Sequence, residues 1–284
     1  MQTTPPAEPE LQRHILLAGC GKLGILLGER LVARGATVFA LRRNTAPLPA
    51  AFTALAADLS HPLATPLPDV DELVVTLTPG YSASAGHPDD YLVKIRNLAA
   101  ALPVRPRRVI FVSSTRVFEG RTDGRVITED DDPAPVTERG RLILDGELLA
   151  AELLDAHIVR PAGIYGPGRE MLLRTVIDGT PVDYTRRTNR IHQADLARAL
   201  DVMLREPEPP RLIHAVDQAP APLGDVVTYI AHRLGRQPPP RTEPGDPAGT
   251  VLDGARLLEL LGTLEYPTFE AGYAEMTEAG GERG

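Results

Sequence analysis

The sequence predicts an α/β protein with a doubly wound parallel sheet and a small C-terminal lobe. Short, uniformly apolar runs alternate with segments of helical spacing from His14 onward. A glycine cluster sits at the first junction between such a run and a helix, and the regular alternation loosens after Gly168. With 284 residues, 43% hydrophobic and 24% charged, the chain is long and apolar enough to bury a sizeable core.

Residues 1–12 are rich in Pro and Glu and precede any periodic pattern, so they read as a flexible tail. "HILLAGC" is a strand ending in glycine, and "LGILLGERLVARG" puts Leu23, Leu27 and Leu31 on one helical face before a stop at Gly35. "ATVFALRR", "FTALAADL" and "DELVVTLT" read as the second to fourth strands, and "YLVKIRNLAAAL" as a helix. "RRVIFVSST" is a fifth strand, "PVTERGRLILDGE" opens a helix that runs through Leu154, and "AHIVRPAGIYG" is a sixth strand. Together they predict a main domain over residues 13–168.

Residues 169–284 predict a smaller mixed α/β lobe for substrate, with some segments returning to the main sheet. "EMLLRTVIDG", "QADLARALDVMLR" and "PLGDVVTYIAHRLG" read as helices and "RLIHAVD" as a strand. The proline-rich "EPEPPR" and "RQPPPRTEPGDPAG" read as exposed loops.

A formal charge of −8 disfavours nucleic acid and anionic membranes as partners, because phosphate surfaces call for a basic face. A small molecule is the expected partner. The one cysteine, Cys20, permits no internal disulfide and fits a reducing compartment. Neither a signal peptide nor a membrane-spanning apolar run is visible, so a cytoplasmic location is expected. The seven histidines lack metal-ligand spacing, and no metal site is inferred.

"GCGKLG" places Gly19, Gly21 and Gly24 in GxGxxG spacing directly after a strand and at the start of a helix. The first glycine serves the tight turn, the second lets backbone approach a pyrophosphate, and the third allows close helix packing. Lys22 and Leu23 lie within the motif, at a helix N-terminus whose free amides attract phosphate. The pattern predicts a Rossmann-like dinucleotide site. An acid for the ribose is expected about 20 residues later if the cofactor is NAD. None occurs between Leu31 and Ala57, and the second strand ends in Arg42 and Arg43, whose guanidinium groups suit a 2′-phosphate. NADP is therefore the expected cofactor, with NAD the alternative. The later strand ends at Thr76, Leu77, Thr78, Ser113, Pro161 and Ile164 should line the same cleft.

With these positions in hand, the chain resembles the extended short-chain dehydrogenase/reductase family, also called the NAD-dependent epimerase/dehydratase family, in an atypical form. "VIFVSSTRVFEG", "RPAGIYGPGR" and "RIHQADLARAL" carry the resemblance, which runs from His14 to about Tyr273. It implies that Asp58 and Leu59 meet the adenine. The family's GxxGxxG spacing is replaced here by GxGxxG. Its P-x-S-x-Y-x-x-x-K-x-x-x-E segment aligns with Pro135, Thr137 and Glu147, which puts Arg139 at the tyrosine position and Ile143 at the lysine position.

A guanidinium keeps its proton at physiological pH, so Arg139 cannot act as a general base, and Ile143 cannot bond a ribose. The resemblance implies Ser114 as the catalytic hydroxyl, beside Thr115. Tyr81, which follows the fourth strand, is the third candidate acid. Arg187 and Arg190, in "RRTNR", are candidate contacts for an anionic substrate such as a nucleotide sugar. The resemblance also implies a homodimer. Two functions follow as expectations: an NADP-dependent oxidoreductase or epimerase-like enzyme with a non-standard acid/base set, or a non-catalytic NADP(H)-binding sensor.

Overall fold

The computed structural model describes residues 13–80, 91–121, 124–245 and 249–281. Seven strands form one parallel sheet: β1 (His14–Ala18), β2 (Thr37–Arg42), β3 (Thr53–Ala56), β4 (Glu72–Val75), β5 (Arg108–Val112), β6 (His157–Pro161) and β7 (Leu212–Ala215). Their spatial order is β7-β6-β5-β4-β1-β2-β3. The order reverses at β1, which makes the gap between the ends of β1 and β4 the topological switch point.

The apolar strands are explained by burial on both faces. Ile15 and Leu17 face one core, together with Leu23, Leu27 and Leu31 of α1 (Lys22–Val32) and Leu196, Leu200 and Met203 of a helix at Gln193–Arg205. Leu16 and Ala18 face the other core, packed on Ile95 and Leu98 of α2 (Tyr91–Ala101) and on Ala150 and Leu154 of α3 (Glu138–Leu154). Each fully buried leucine contributes about 1.5–3 kcal/mol.

Beyond α3 the helices are α4 (Met171–Ile177), α5 (Gln193–Arg205), α6 (Leu223–Arg233), α7 (Ala255–Leu261) and α8 (Phe269–Gly281). α5 and α7 pack in the layer of α1, and β7 joins the main sheet. α4, α6 and α8 enclose a separate core that contains Leu173, Val176, Val226, Ile230, Phe269 and Met276. Among the described residues no helix is long and apolar enough to cross a membrane.

Two features depart from the sequence reading. The expected sixth strand divides: β6 stops at Pro161, and Gly163–Tyr165 leaves the sheet to pair in parallel with Arg190–His192. Proline has no N–H to extend the ladder, so the break falls there. α7 and α8 were not legible in the sequence. α8 contains three glycines, a poor local helix signal; at Gly272 a Cβ would collide with the Tyr165 phenol, so close packing needs the glycine.

Candidate functional site

The site forms at the switch point. Gly19, at the end of β1, has φ +83°, and a Cβ there would meet the backbone of Thr76 and Leu77 at 3.1 Å. Its N–H donates to the Leu41 carbonyl at 2.9 Å, and the Thr76 hydroxyl donates to the Gly19 carbonyl at 2.9 Å. Arg42 adds a third tether by donating to the Cys20 carbonyl at 3.0 Å. The turn is thus held by β2 and by the end of β4 before any ligand arrives.

The glycines in this turn serve different needs. At Gly24 a Cβ would press on Cys20 Sγ at 3.0 Å, so helix packing excludes it. At Gly21 the nearest atom would be the Gly19 carbonyl oxygen, 3.8 Å away. Among the described residues nothing requires the missing side chain at Gly21, and the space it leaves is open to them. Gly21 is the N-cap of α1, with no side chain capping it and no acid in the first turn. The first-turn amides and their partial positive charge are therefore left for an anion. A dinucleotide diphosphate fits this cradle.

Leu23 is buried beneath the turn, and burial pushes the Cys20 thiol up to about 11, which makes it an inert packing group. Arg43 is exposed beside Arg42. Asp58 is exposed after β3, and hydrogen bonds from Ser60, with a smaller contribution from Arg43, hold its carboxyl below the usual range. Leu59 is buried and its carbonyl accepts from Asn97 at 2.9 Å. Leu77 is half-buried and Thr78 exposed at the end of β4; Tyr81 lies outside the described residues.

On the opposite wall, the Lys22 amine donates to the Gly168 carbonyl, so the loop after Tyr165 lies over the start of α1. Pro161 ends β6 and its carbonyl accepts from Thr115 Oγ1 at 3.4 Å; Ile164 is half-buried on the following short strand. Ser114 caps a short 3-10 turn, its Oγ accepting from Arg116 N at 3.2 Å. That bond occupies an acceptor lone pair and leaves the hydroxyl proton free to donate. Ser113 instead donates to Glu147.

Behind Ser113 lies a buried ion pair that sequence reasoning missed. Arg160 grips Glu147 through Nε at 3.0 Å and Nη2 at 2.7 Å, with the residues 5% and 4% exposed, and its guanidinium also lies 5.0 Å from the Phe118 ring centre. Each residue was visible as a motif letter, and nothing in the sequence pairs them. His214 occupies the register position beside Arg160, and burial pushes its imidazole down to about 4. On α3, Arg139 is half-buried, while Ile143 is packed in an apolar cluster with Val117, Phe118, Ile127, Ala162, Val216 and Leu252.

Of the two arginines expected near substrate, Arg187 is exposed. Arg190 is 3% exposed; it lies 5.3 Å from the Phe269 ring centre and donates to Thr188. Pairing of Arg190–His192 with Gly163–Tyr165 turns it into the interior of the small lobe. Nearby, burial pushes Asp217 up to about 7 and His192 down to about 4.

Residues 92–183, from α2 past α4, match the family model described as the RmlD substrate binding domain. Across 95% of its length this chain is similar, at 30% identity and a TM-score of 0.77, to 99% of a protein of Methylobacillus flagellatus assigned to the NAD-dependent epimerases/dehydratases. This chain belongs to the NAD-dependent epimerase/dehydratase family. It is an extended, atypical short-chain dehydrogenase/reductase with that family's Rossmann-like, NAD(P)-binding type of fold.

Two more distant structures share the fold of this epimerase/dehydratase family member. Human epimerase family protein SDR39U1, solved with NADPH, is 20% identical over 93% of this chain and 99% of its own, with a TM-score of 0.78. MoeE5, solved with UDP-glucose and NAD, is 23% identical over 95% and 99%, with a TM-score of 0.78. A curated relative, the uncharacterized protein y4nG of Sinorhizobium fredii, is 33% identical over 76 residues, so the match takes in 25% of this chain and only 19% of that protein.

Proposed function

We propose that this protein is an NADP-dependent oxidoreductase or epimerase-like enzyme acting on an anionic small molecule, with a non-standard acid/base set. The observation that carries the reading is the open space at Gly21 above the uncapped start of α1. Gly19, Gly21, Lys22, Leu23 and Gly24 would hold the diphosphate, Arg43 with Arg42 a 2′-phosphate, and Asp58 and Leu59 the adenine. Thr76, Leu77, Thr78, Ser113, Pro161 and Ile164 would line the rest of the cleft. A bound nicotinamide supplies hydride transfer. The NADPH held by SDR39U1, and the UDP-glucose and NAD held by MoeE5, support the cofactor and substrate classes.

Within this reading Arg139 and Ile143 stand at the family's tyrosine and lysine positions. Ile143, enclosed in an apolar cluster, has no proton to move. Ser114 is the group suited to contact a substrate carbonyl: the Arg116 amide binds one of its lone pairs, and its proton is available to the carbonyl oxygen. Thr115 already donates to the Pro161 carbonyl, and Tyr81 remains a candidate acid.

The test is NADPH oxidation with a panel of nucleotide sugars, aldehydes and ketones. Turnover is expected, and Ser114→Ala is expected to lower kcat by about 100-fold, the usual loss of one donor to a developing oxyanion. Bound NADPH without turnover of any panel member would instead support a non-catalytic dinucleotide-binding protein.

Cofactor choice is tested separately. Because Arg42 also tethers the glycine turn, Arg43→Ala is the cleaner variant. It is expected to shift the NADPH to NADH affinity ratio by about tenfold toward NADH, through loss of a charge-assisted phosphate contact. An unchanged ratio would remove the basis for NADP.

A further inference from the structure

The end of the sheet opposite the glycine turn gathers arginines. Gly19 and Ser113 follow the C-terminal ends of β1 and β5, whereas Arg107 and His157 stand at the N-terminal ends of β5 and β6. A five-residue strand such as β5 rises about 17 Å, so a ligand held there is separate from the dinucleotide cleft. Burial alternates along Arg105, Pro106, Arg107 and Arg108, which are exposed, buried, exposed and buried in turn, as in an extended chain. Pro106 favours that extension in the residue before it. The two exposed arginines therefore project from the same side.

Arg105 and Arg107 line one cavity of about 130 Å³, with His157, Asp155, Val109 and Leu154 around it. That is the volume of about four waters, enough for one phosphate-sized oxyanion. The arginines outnumber the carboxylates they meet. Arg107 donates to Glu72 at 2.6 Å, and Arg13 donates to the same Oε1 of this fully buried carboxylate. Arg211 pairs with Asp155 at 2.5 Å, both side chains being more than half exposed, so the pair is weak. Arg108 is 9% exposed, and its Nε has no partner among the described residues. Its Nη1 meets the His157 ring at 3.1 Å, and its Nη2 donates to the Glu206 and Pro207 carbonyls. Among the described residues Arg105 forms no ion pair, and it acts on Asp155 only by longer-range attraction. The guanidinium groups of Arg13, Arg105, Arg107, Arg108 and Arg211 thus share two contacting carboxylates, Glu72 and Asp155.

His157 adds no charge to this set. Its Nδ1 donates to the Pro210 carbonyl at 2.9 Å, which leaves Nε2 to accept from Arg108 at 3.1 Å and from Arg211 at 3.4 Å. Burial, joined by the Arg211 and Arg108 charges, pulls its pKa down and keeps the ring neutral. Burial also pulls Arg108 below the usual guanidinium range, with repulsion from Arg107 and Arg211 added to it. A small anion would relieve that repulsion.

We propose that Arg105 and Arg107 hold a phosphate-class oxyanion at the N-terminal ends of β5 and β6, a second anion site independent of the dinucleotide. Guanidinium forks suit paired phosphate oxygens, and the exposed arginines border the cavity where it meets solvent. Asp155, on the same rim, is already engaged by Arg211. The oxyanion has two sources, free phosphate and the phosphomonoester end of a metabolite.

Titration with inorganic phosphate at constant ionic strength, followed by backbone amide NMR shifts, tests the site. Saturable shifts are expected at Arg105, Arg107 and His157, and Arg105→Ala is expected to weaken binding by about tenfold, as for loss of one charged donor. Because Arg105 has no ion-pair partner to strand, this variant is expected to keep the wild-type Tm in phosphate-free buffer. Methyl phosphate separates the sources: binding as tight as that of phosphate or tighter assigns an ester, and weaker or no binding assigns the free ion. The same spectra read the glycine turn independently, where NADPH is expected to shift Gly21 to Leu23 and to leave phosphate bound at Arg105. A turn that ignores NADPH would sink the cofactor reading and leave this site standing. Phosphate shifts confined to Gly21–Leu23, no saturation by about 10 mM phosphate, or an unchanged dissociation constant in Arg105→Ala would each overturn it.

Discussion

Gly21→Ala is expected to leave thermal stability nearly unchanged and to weaken NADPH binding by about tenfold or more. The two effects separate because a Cβ at Gly21 meets no atom of the described residues closer than 3.8 Å, and the residue's φ of −92° suits any side chain. The added methyl enters the space above the α1 amides, where a diphosphate would have to sit in contact with backbone. Gly28→Ala is the contrasting control: its Cβ would collide with the Phe52 ring and lie 3.1 Å from Leu17, so stability should fall. Thermal melts and calorimetric titration with NADPH check both. Unimpaired binding by Gly21→Ala would mean that the dinucleotide does not use this turn.

Glu147→Ala is expected to cost about 3–5 kcal/mol of stability, since it strands a buried guanidinium. Arg160 would lose its charged contacts to Glu147 through Nε and Nη2, its Nη1 already has no partner among the described residues, and Ser113 would lose its acceptor. Replacing both members, as in Glu147→Leu with Arg160→Met, is expected to recover most of that loss, because two well-packed apolar groups carry no desolvation penalty. Urea unfolding midpoints at constant m-value measure both changes. A loss under about 1 kcal/mol in Glu147→Ala would show that the pair is solvated in solution.

The glycine turn was legible because its demands are local. A strand end, a positive φ at Gly19 and a helix start lie within a few residues, and each leaves a compositional trace. The strands of the main sheet were legible for a related reason: burial on both faces allows only apolar side chains, as in Ile15 to Ala18. α8 left no such trace, because its glycines argue against a helix locally and Tyr165, 107 positions away, makes Gly272 useful. The burial of Arg190 and of Arg169 was not legible, because sequence does not report what surrounds a charge. One arginine lies against Phe269 inside the small lobe, and the other is half-buried with no counter-ion among the described residues.

By itself, the sequence determined the order of the main-sheet strands and of helices α1 to α6, and the turn that offers backbone amides to an anion, since both follow from side-chain periodicity and from the conformational freedom of a few glycines. Only the tertiary structure decided which polar groups meet: Arg160 with Glu147 beneath Ser113, and Lys22 with the loop carrying Arg169. Those pairings join residues distant along the chain, and burial then determines whether each charge is answered by the protein or left for a ligand.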